Sequence, residues 1–304
     1  MTEGAGTRAL VIGRRRKGRG IGEAVEETRR LLEAAGWKAD GLVVRRKRAL
    51  RDHAARAVKA EMDVVVAVGG DGAVLQVVNA LAGSGVALGI IPKGTGNLLA
   101  GNLAIPGRLE EAVDVLVRGR RRRIDLGRVT VDGTDHHFAV ACGVGFDARV
   151  MGSTSKGAKR RLGKLAYVIA AVREAQHLRD VSHDITLDGV RSRRQAAQVL
   201  VANFGKVGSL IEPRREIRPD DGMLDVIVVR APGPVRGLLA GFEALRQPNL
   251  GPSRAGHVLR AQVREIRIET RRRRLVEIDG SVVGSTPVAI SIRPDALTVI
   301  EPGR

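Results

Sequence analysis

The chain has 304 residues, with 52 Lys and Arg against 33 Asp and Glu, giving a formal charge of +19. Hydrophobic residues reach 43% but aromatics only 2%, so the core of one large α/β domain, or of two smaller domains, must come from Val, Leu, Ile and Ala. A mean hydropathy of −0.06 argues against a membrane-embedded helical protein, and no apolar run approaches the ~18 residues of a spanning helix. Residues 1–6 show no basic segment followed by an apolar one, so no signal peptide is expected. Cys142 is the single cysteine, which excludes an intramolecular disulfide and a cysteine-built zinc site. The expectation is a cytoplasmic globular protein whose cations attract polyanions: nucleic acid, an anionic membrane surface, or nucleotide phosphates.

Residues 9–12 form a short apolar run that breaks into Gly13 and a basic, Gly-rich loop over 14–20. Residues 22–35 space Val25, Leu31 and Leu32 among charges, the pattern of an amphipathic helix, and Gly36 ends it. A second strand is expected at 42–44 and a second helix at 49–59. Residues 63–68 are β-branched and apolar on both faces, the mark of a buried parallel strand. A helix over 73–81, a buried strand over 86–91, then a loop and a helix from Leu98 complete the alternation. Such alternation predicts a doubly wound α/β domain. Near Ile124 the character changes to short strand runs at 126–131, 137–142, 183–187, 196–203, 224–229, 263–269, 275–278, 288–292 and 297–300. Helices at about 159–174 and 235–246 interrupt them. Many strands at short spacing predict an antiparallel β-sandwich as a second domain, packed closely on the first because no linker separates them.

The sharpest chemical feature is Gly69-Gly70-Asp71-Gly72, at the end of a buried strand and the start of a helix. Consecutive glycines let backbone approach a ligand, and the N–H groups of the next helix face an anion. The segment lacks the Lys-Ser/Thr of a P-loop and the spacing of a dinucleotide fingerprint, so alone it favours a tight strand-to-helix turn. A second loop, Pro92-Lys93-Gly94-Thr95-Gly96-Asn97, also follows a buried strand. In a parallel sheet both loops lie at the carboxyl edge, where ligands bind. Two such loops one βα unit apart favour a nucleotide site, even if Asn97 also caps the next helix.

With these residues in view, the sequence resembles the diacylglycerol kinase catalytic family, which includes bacterial lipid kinases and sphingosine kinases. The likeness runs in order through Gly69–Gly72 with Val77-Val78-Asn79, Pro92–Asn97, Asp125-Leu126-Gly127-Arg128, Gly143 to Ala148, Arg161 to Tyr167, Asp220 to Asp225, and Ile278-Asp279-Gly280. It implies a nucleotide-binding α/β domain over 1–126, rejoined by about 295–304, and a lipid-binding β-sandwich over 127–294. It also implies ATP-dependent phosphorylation of a lipid hydroxyl with Mg2+. On the matching positions, Gly69, Gly70 and Gly72 bind nucleotide phosphates, with Asp71 near the metal and the transferred group. Gly94, Thr95, Gly96 and Asn97 line the same pocket. Asp147 matches an acidic residue that holds the lipid head group, and Arg160, Arg161 and Lys164 match phosphate-facing cations. Asp221 and the carbonyl of Met223 match a structural metal site, although the upstream partner position is Arg218.

Three departures bear on mechanism. The family's Asn-Pro-x-Ser-Gly loop is replaced by Gly13-Arg14-Arg15-Arg16-Lys17-Gly18, and a typical Thr and Glu are Ala73 and Gln76. The typical Asp-Gly-Glu, whose Glu is the proposed general base, is Asp279-Gly280-Ser281. General-base help is worth ~10²–10⁴-fold, yet phosphoryl transfer relies mainly on positioning and charge. A lipid kinase, with Asp147 or Asp279 as substitute base, is therefore the leading expectation. A nucleotide- and lipid-binding pseudokinase is the alternative, and a soluble substrate such as NAD stands behind both. Basic runs at 14–17, 45–48, 120–123, 159–161 and 271–274 suit peripheral docking on an anionic membrane. Nucleic acid is not expected as a partner, since one Trp, one Tyr and four Phe offer little stacking surface. A homodimer is allowed.

Overall fold

The computed structural model describes residues 6–16, 18, 20–146, 180–205, 217–230 and 258–303. The expected helices at 159–174 and 235–246 lie outside the described residues, as do Asp147, Arg160, Arg161 and Lys164.

Strands β1 (Arg8–Arg14), β2 (Lys38–Val44), β3 (Val64–Gly69) and β4 (Ala87–Pro92) form a parallel sheet in the order β2-β1-β3-β4. Every residue of β3 and β4 is buried, as expected of runs apolar on both faces. Helix α1 (Ile21–Ala34) buries Ile21, Ala24, Val25, Thr28 and Leu32 at helical spacing, while Arg29 and Arg30 pair with Glu26, Glu27 and Glu33 on its outer face. Helices α2 (Lys47–Lys59) and α3 (Asp71–Leu81) follow β2 and β3. The helix expected from Leu98 is only a short α4 (Leu98–Asn102), because Ala104 turns left-handed (φ 55°) and Pro106 follows. A separate α5 (Leu109–Arg118) buries Leu109, Ala112, Val113 and Leu116, an i, i+3, i+4, i+7 stripe that the sequence reading passed over.

The sandwich begins on β5 (Arg120–Val131), β6 (Thr134–Phe138) and β7 (Ala141–Phe146). The single strand expected over 137–142 is thus two: the chain leaves one sheet after Phe138 and enters the other at Ala141. Next come β8 (Val181–Leu187), β9 (Val190–Ala196), β10 (Gln198–Ala202), β11 (Leu224–Val229), β12 (Val258–Val263), β13 (Glu265–Thr270), β14 (Leu275–Ile278), β15 (Ser281–Ser285) and β16 (Val288–Glu301). One six-stranded sheet runs β12-β11-β10-β7-β14-β15.

The other strands join the parallel sheet in a ten-stranded sheet, and β16 is the join. The two strands expected at 288–292 and 297–300 are one element, kinked where Pro294 and a left-handed Asp295 (φ 51°) shift its register. Before the kink β16 pairs with β13, and after it Thr298 and Val299 lie parallel beside Ala87 and Leu88 of β4. Along both halves it pairs with β5. The architecture is an α/β domain followed by a β-sandwich, sharing a sheet. The two cores also interlock, since Leu75 of α3 packs among Val129, Phe138 and Ile290, while Val140 and Phe204 belong to the α/β core.

Candidate active site

The site forms where strand order reverses. β1 leads to β2 on one side while β3 lies on the other, and such a switch point leaves a crevice at the carboxyl edge of the strands. Arg15 and Arg16 after β1, Gly69–Gly72 after β3, and Lys93–Asn97 after β4 all sit on that edge.

The two Gly-rich loops touch through their backbones. A Cβ built on Gly70 would lie 2.7 Å from the Cα of Gly94, and one on Gly94 would lie 2.5 Å from the Cα of Gly70. Neither glycine needs a left-handed φ, so the requirement is close approach. Asp71 locks the same junction from the side: Oδ1 accepts the N–H of Leu98 at 2.5 Å and Oδ2 that of Asn97 at 3.1 Å. Asn97, itself left-handed (φ 49°), closes its own loop, with Oδ1 accepting from Gly94 N and Nδ2 donating to Gly94 O. Gly96 packs against the Asp71 carboxylate, and Thr95 stands exposed on the outer turn. Gly70 supplies no side-chain cap to α3; its carbonyl takes the N–H groups of Ala73 and Val74, which leaves those of Asp71 and Gly72 at the head of the helix. Of the expected site residues, Gly69, Gly70, Asp71, Gly72, Gly94, Gly96 and Asn97 are brought together.

Asp279 reaches the same place from the sandwich. Left-handed at φ 42° and 8% exposed, it accepts the N–H of Ala139 on Oδ2 and those of Val140 and Ala141 on Oδ1, at 2.8–2.9 Å. Those donors belong to the turn between β6 and β7, which explains why the strand expected at 137–142 breaks there. Burial raises its carboxyl to about 6 against the pull of the three N–H groups, and the nearby Asp71 charge adds to the rise. Asp71 and Asp279, with Val74, Leu75 and Leu98 among others, line a cavity of about 10 Å³, roughly the space of one water. Asn79 ties the same turn to α3, with Oδ1 accepting from His137 N and Nδ2 donating to the carbonyls of His137 and Leu75.

Lys47, concealed in the basic run 45–48, is a residue the sequence did not single out. It opens α2, donates from Nζ to Ser281 Oγ at 3.3 Å, and stands beside Gly72. Burial, with Arg14 as a like-charged neighbour, lowers its pKa. The pairing of β1 with β2 also brings the runs 14–16 and 45–48 together, since Arg14 is in register with Val44 and Arg15 N donates to Val44 O. Among the described residues, none of these cations is in an ion pair.

Asp221 and Met223, the expected metal pair, are joined within their own turn. Asp221 Oδ1 accepts Met223 N–H at 3.0 Å, while neighbouring Asp220 is engaged by Arg122 at 2.8 Å and Arg218 at 3.3 Å. Asp125 spends its carboxylate on the N–H groups of Gly222 and Asp295. No group of three or more His, Cys, Asp or Glu among the described residues is arranged to hold a metal ion. Cys142 is buried on β7 with its thiol pKa pushed up by burial, as befits an inert core residue.

Residues 8–129 match the family model of the diacylglycerol kinase catalytic domain, and 139–301 match that of the YegS C-terminal NAD kinase beta sandwich-like domain. The chain is 31% identical over 259 residues to a diacylglycerol kinase of Mycobacterium tuberculosis, covering 82% of this chain and 80% of that one. It is 28% identical over 240 residues to an uncharacterized protein of Synechocystis, covering 78% of this chain but spanning only 54% of that relative. The crystal structure of a diacylglycerol kinase from Bacillus anthracis has the same fold, with a TM-score of 0.73, 22% identity and 97% of each chain covered. No helix among the described residues is long and apolar enough to cross a membrane.

Proposed function

The chain belongs to the diacylglycerol kinase catalytic-domain family, and from that premise we propose that it transfers the γ-phosphoryl group of ATP to the hydroxyl of diacylglycerol or a related long-chain alcohol. The observation that carries the reading is the junction of two Gly-rich loops at the switch point, closed by the Gly70–Gly94 contact and clamped by Asp71. In this reading the first-turn N–H groups of α3 at Asp71 and Gly72 receive nucleotide phosphates, and Gly94–Asn97 form the facing wall. Asp71 suits a nucleotide-borne Mg2+, because each oxygen accepts one N–H and keeps a lone pair, and Mg2+ takes one or two carboxylates beside phosphate oxygens. The metal would neutralise charge on the transferred group. Asp279 holds the 139–141 turn under the site and so acts as a positioning residue.

The substrate would be met at a cytoplasmic membrane surface. Exposed Arg15, Arg16, Arg45, Arg46 and Arg48 rim the crevice without acidic partners among the described residues, and each cation near an anionic leaflet contributes about 1 kcal/mol. Sedimentation with anionic vesicles should fall steeply between low and high salt.

The decisive experiment supplies Mg2+ and γ-labelled ATP with diacylglycerol in mixed micelles, and uses Asp71→Ala as the control. Label in the lipid product, lost in the control, is the expected result. ATP binding without transfer to any lipid alcohol would overturn the kinase reading in favour of a nucleotide-binding pseudokinase.

A further inference from the structure

Resting on the kinase reading, we propose that Lys47 is the cation that grips the terminal phosphoryl group of the nucleotide, and that Ser281 positions it. The two side chains come from opposite domains, 234 residues apart, and meet at 3.3 Å over the first turn of α3. A Cβ built on Gly72 would lie 3.7 Å from Lys47 Nζ and 3.9 Å from Ser281 Oγ. The glycine thus leaves open a gap bounded by an ammonium, a hydroxyl and helix backbone, next to the Asp71 clamp.

The charge balance of that gap asks for an anion. Lys47 is half-buried, and among the described residues its side chain has a neutral hydroxyl as partner and no carboxylate. The charge that acts on it most is Arg14, another cation. A desolvated ammonium facing a like charge is unfavourable until a counter-charge arrives. ATP brings one at its terminal phosphoryl group, which ADP lacks. Ser281 suits the positioning role because its oxygen accepts from Lys47 while its own O–H remains free to turn toward a phosphoryl oxygen.

The assignment also gives a physical meaning to serine at this position. A glutamate there would pair with Lys47 and neutralise it. In the transfer itself, the lipid oxygen bonds to the γ-phosphorus as the bridging P–O bond breaks. The electron pair leaves on ADP, the lipid proton passes to water, and Lys47 keeps its proton throughout.

The test is calorimetric titration of the full chain with Mg2+–ATP and with Mg2+–ADP, alongside circular dichroism and melting to confirm the fold. Losing one charge-assisted contact predicts that Lys47→Met weakens ATP about tenfold or more while changing ADP less than about twofold. Lys47→Arg should keep most of the preference for ATP. Ser281→Ala should weaken ATP about threefold, with Ser281→Thr restoring it, a rescue that a general packing defect would not show. Ser281→Glu should weaken ATP relative to ADP. A folded Lys47→Met with an unchanged ATP/ADP ratio would overturn the assignment and leave the kinase reading standing. So would Ser281→Glu raising lipid phosphorylation at unchanged ATP affinity, since serine would then be a missing base. A wild-type chain that binds neither nucleotide would overturn both.

Discussion

Gly94→Ala tests the junction between the two loops directly. The added methyl would sit 2.5 Å from the Cα of Gly70 and 2.5 Å from Asn97 Oδ1, about 1 Å inside ordinary contact in both directions. Backbone on one side and a hydrogen-bonded amide on the other leave it nowhere to turn. Overpacking of this kind costs about 1–3 kcal/mol, and loss of the Gly94 N–H to Asn97 Oδ1 bond would add about 1. Reduced chain entropy of the unfolded state returns about 0.4–1 kcal/mol, so a net loss of about 2 kcal/mol is expected. The matched control is Gly101→Ala, where nothing lies within 4 Å of the new methyl on α4. There the better helix former should stabilise by about 0.5–1 kcal/mol. Thermal melting should lower Tm by several degrees for the first variant and leave or raise it for the second. Because Asp71 and Asn97 move with the loop, a displacement near 1 Å should also cost about 10²-fold in phosphoryl transfer. Equal melting of Gly94→Ala and wild type, with equal turnover, would refute the reasoning.

Asn79→Ala removes three hydrogen bonds between α3 and the β6 end, so urea unfolding should show a loss of about 2 kcal/mol, whereas a loss within 0.5 would deny the tether any weight. Asp279 gives a pH signature: its folded value of about 6 lies above the ordinary 3.8, so its contribution is fully present below about pH 4 and is lost as pH rises through 6. That span of about 2 pH units corresponds to about 3 kcal/mol, and the stability of wild type relative to Asp279→Asn should decline across it. A difference flat from pH 4 to 7 would contradict the assignment. Arg122→Met leaves buried Glu301 with only Arg120 and strips Asp220 of its 2.8 Å partner, which should cost about 2–3 kcal/mol by chemical denaturation. Where those arginines stand in place of a structural metal, EDTA should leave Tm unchanged; a drop of several degrees would mean a bound cation.

Much of the α/β domain is legible in the sequence because its signals are local. The two-faced apolar runs at 63–68 and 86–91 become β3 and β4, and the glycines after them announce the loops. What sequence hides is set by long-range partners. The break between β6 and β7 depends on Asp279, which lies about 140 residues away and takes the N–H groups of Ala139, Val140 and Ala141. The fusion of two expected strands into β16 depends on Asp125 holding Asp295 N–H at the kink. β9 gives no strand signal in the sequence, because Arg191, Arg193 and Arg194 interrupt any apolar alternation, while its pairing with β8 is what makes it a strand. Lys47 carries no sequence signal, since one cation in a basic run looks like solvated surface until the fold sets Ser281 against it.

The same long-range wiring bears on how such a site can work without the usual glutamate. Asp71 spends its oxygens on the N–H groups of Asn97 and Leu98, and Asp279 spends its own on three more. Carboxylates so engaged are parts of the loops they hold. The cations are in the opposite condition: Lys47 and Arg14 stand at the crevice with no acidic partner among the described residues. A site whose acids are committed to architecture and whose bases are left uncompensated is organised to receive negative charge. That is the requirement of a loose phosphoryl-transfer transition state, in which negative charge is spread over the equatorial oxygens and builds on the leaving group, while the attacking hydroxyl needs little help in losing its proton. Turnover should accordingly depend on Lys47 far more than on the ionisation of any carboxylate at the cavity, so that the pH–rate profile of Lys47→Met keeps the wild-type shape at a uniformly lower level. A profile that changed shape on removing Lys47 would show that its own titration, and not its charge, had been limiting.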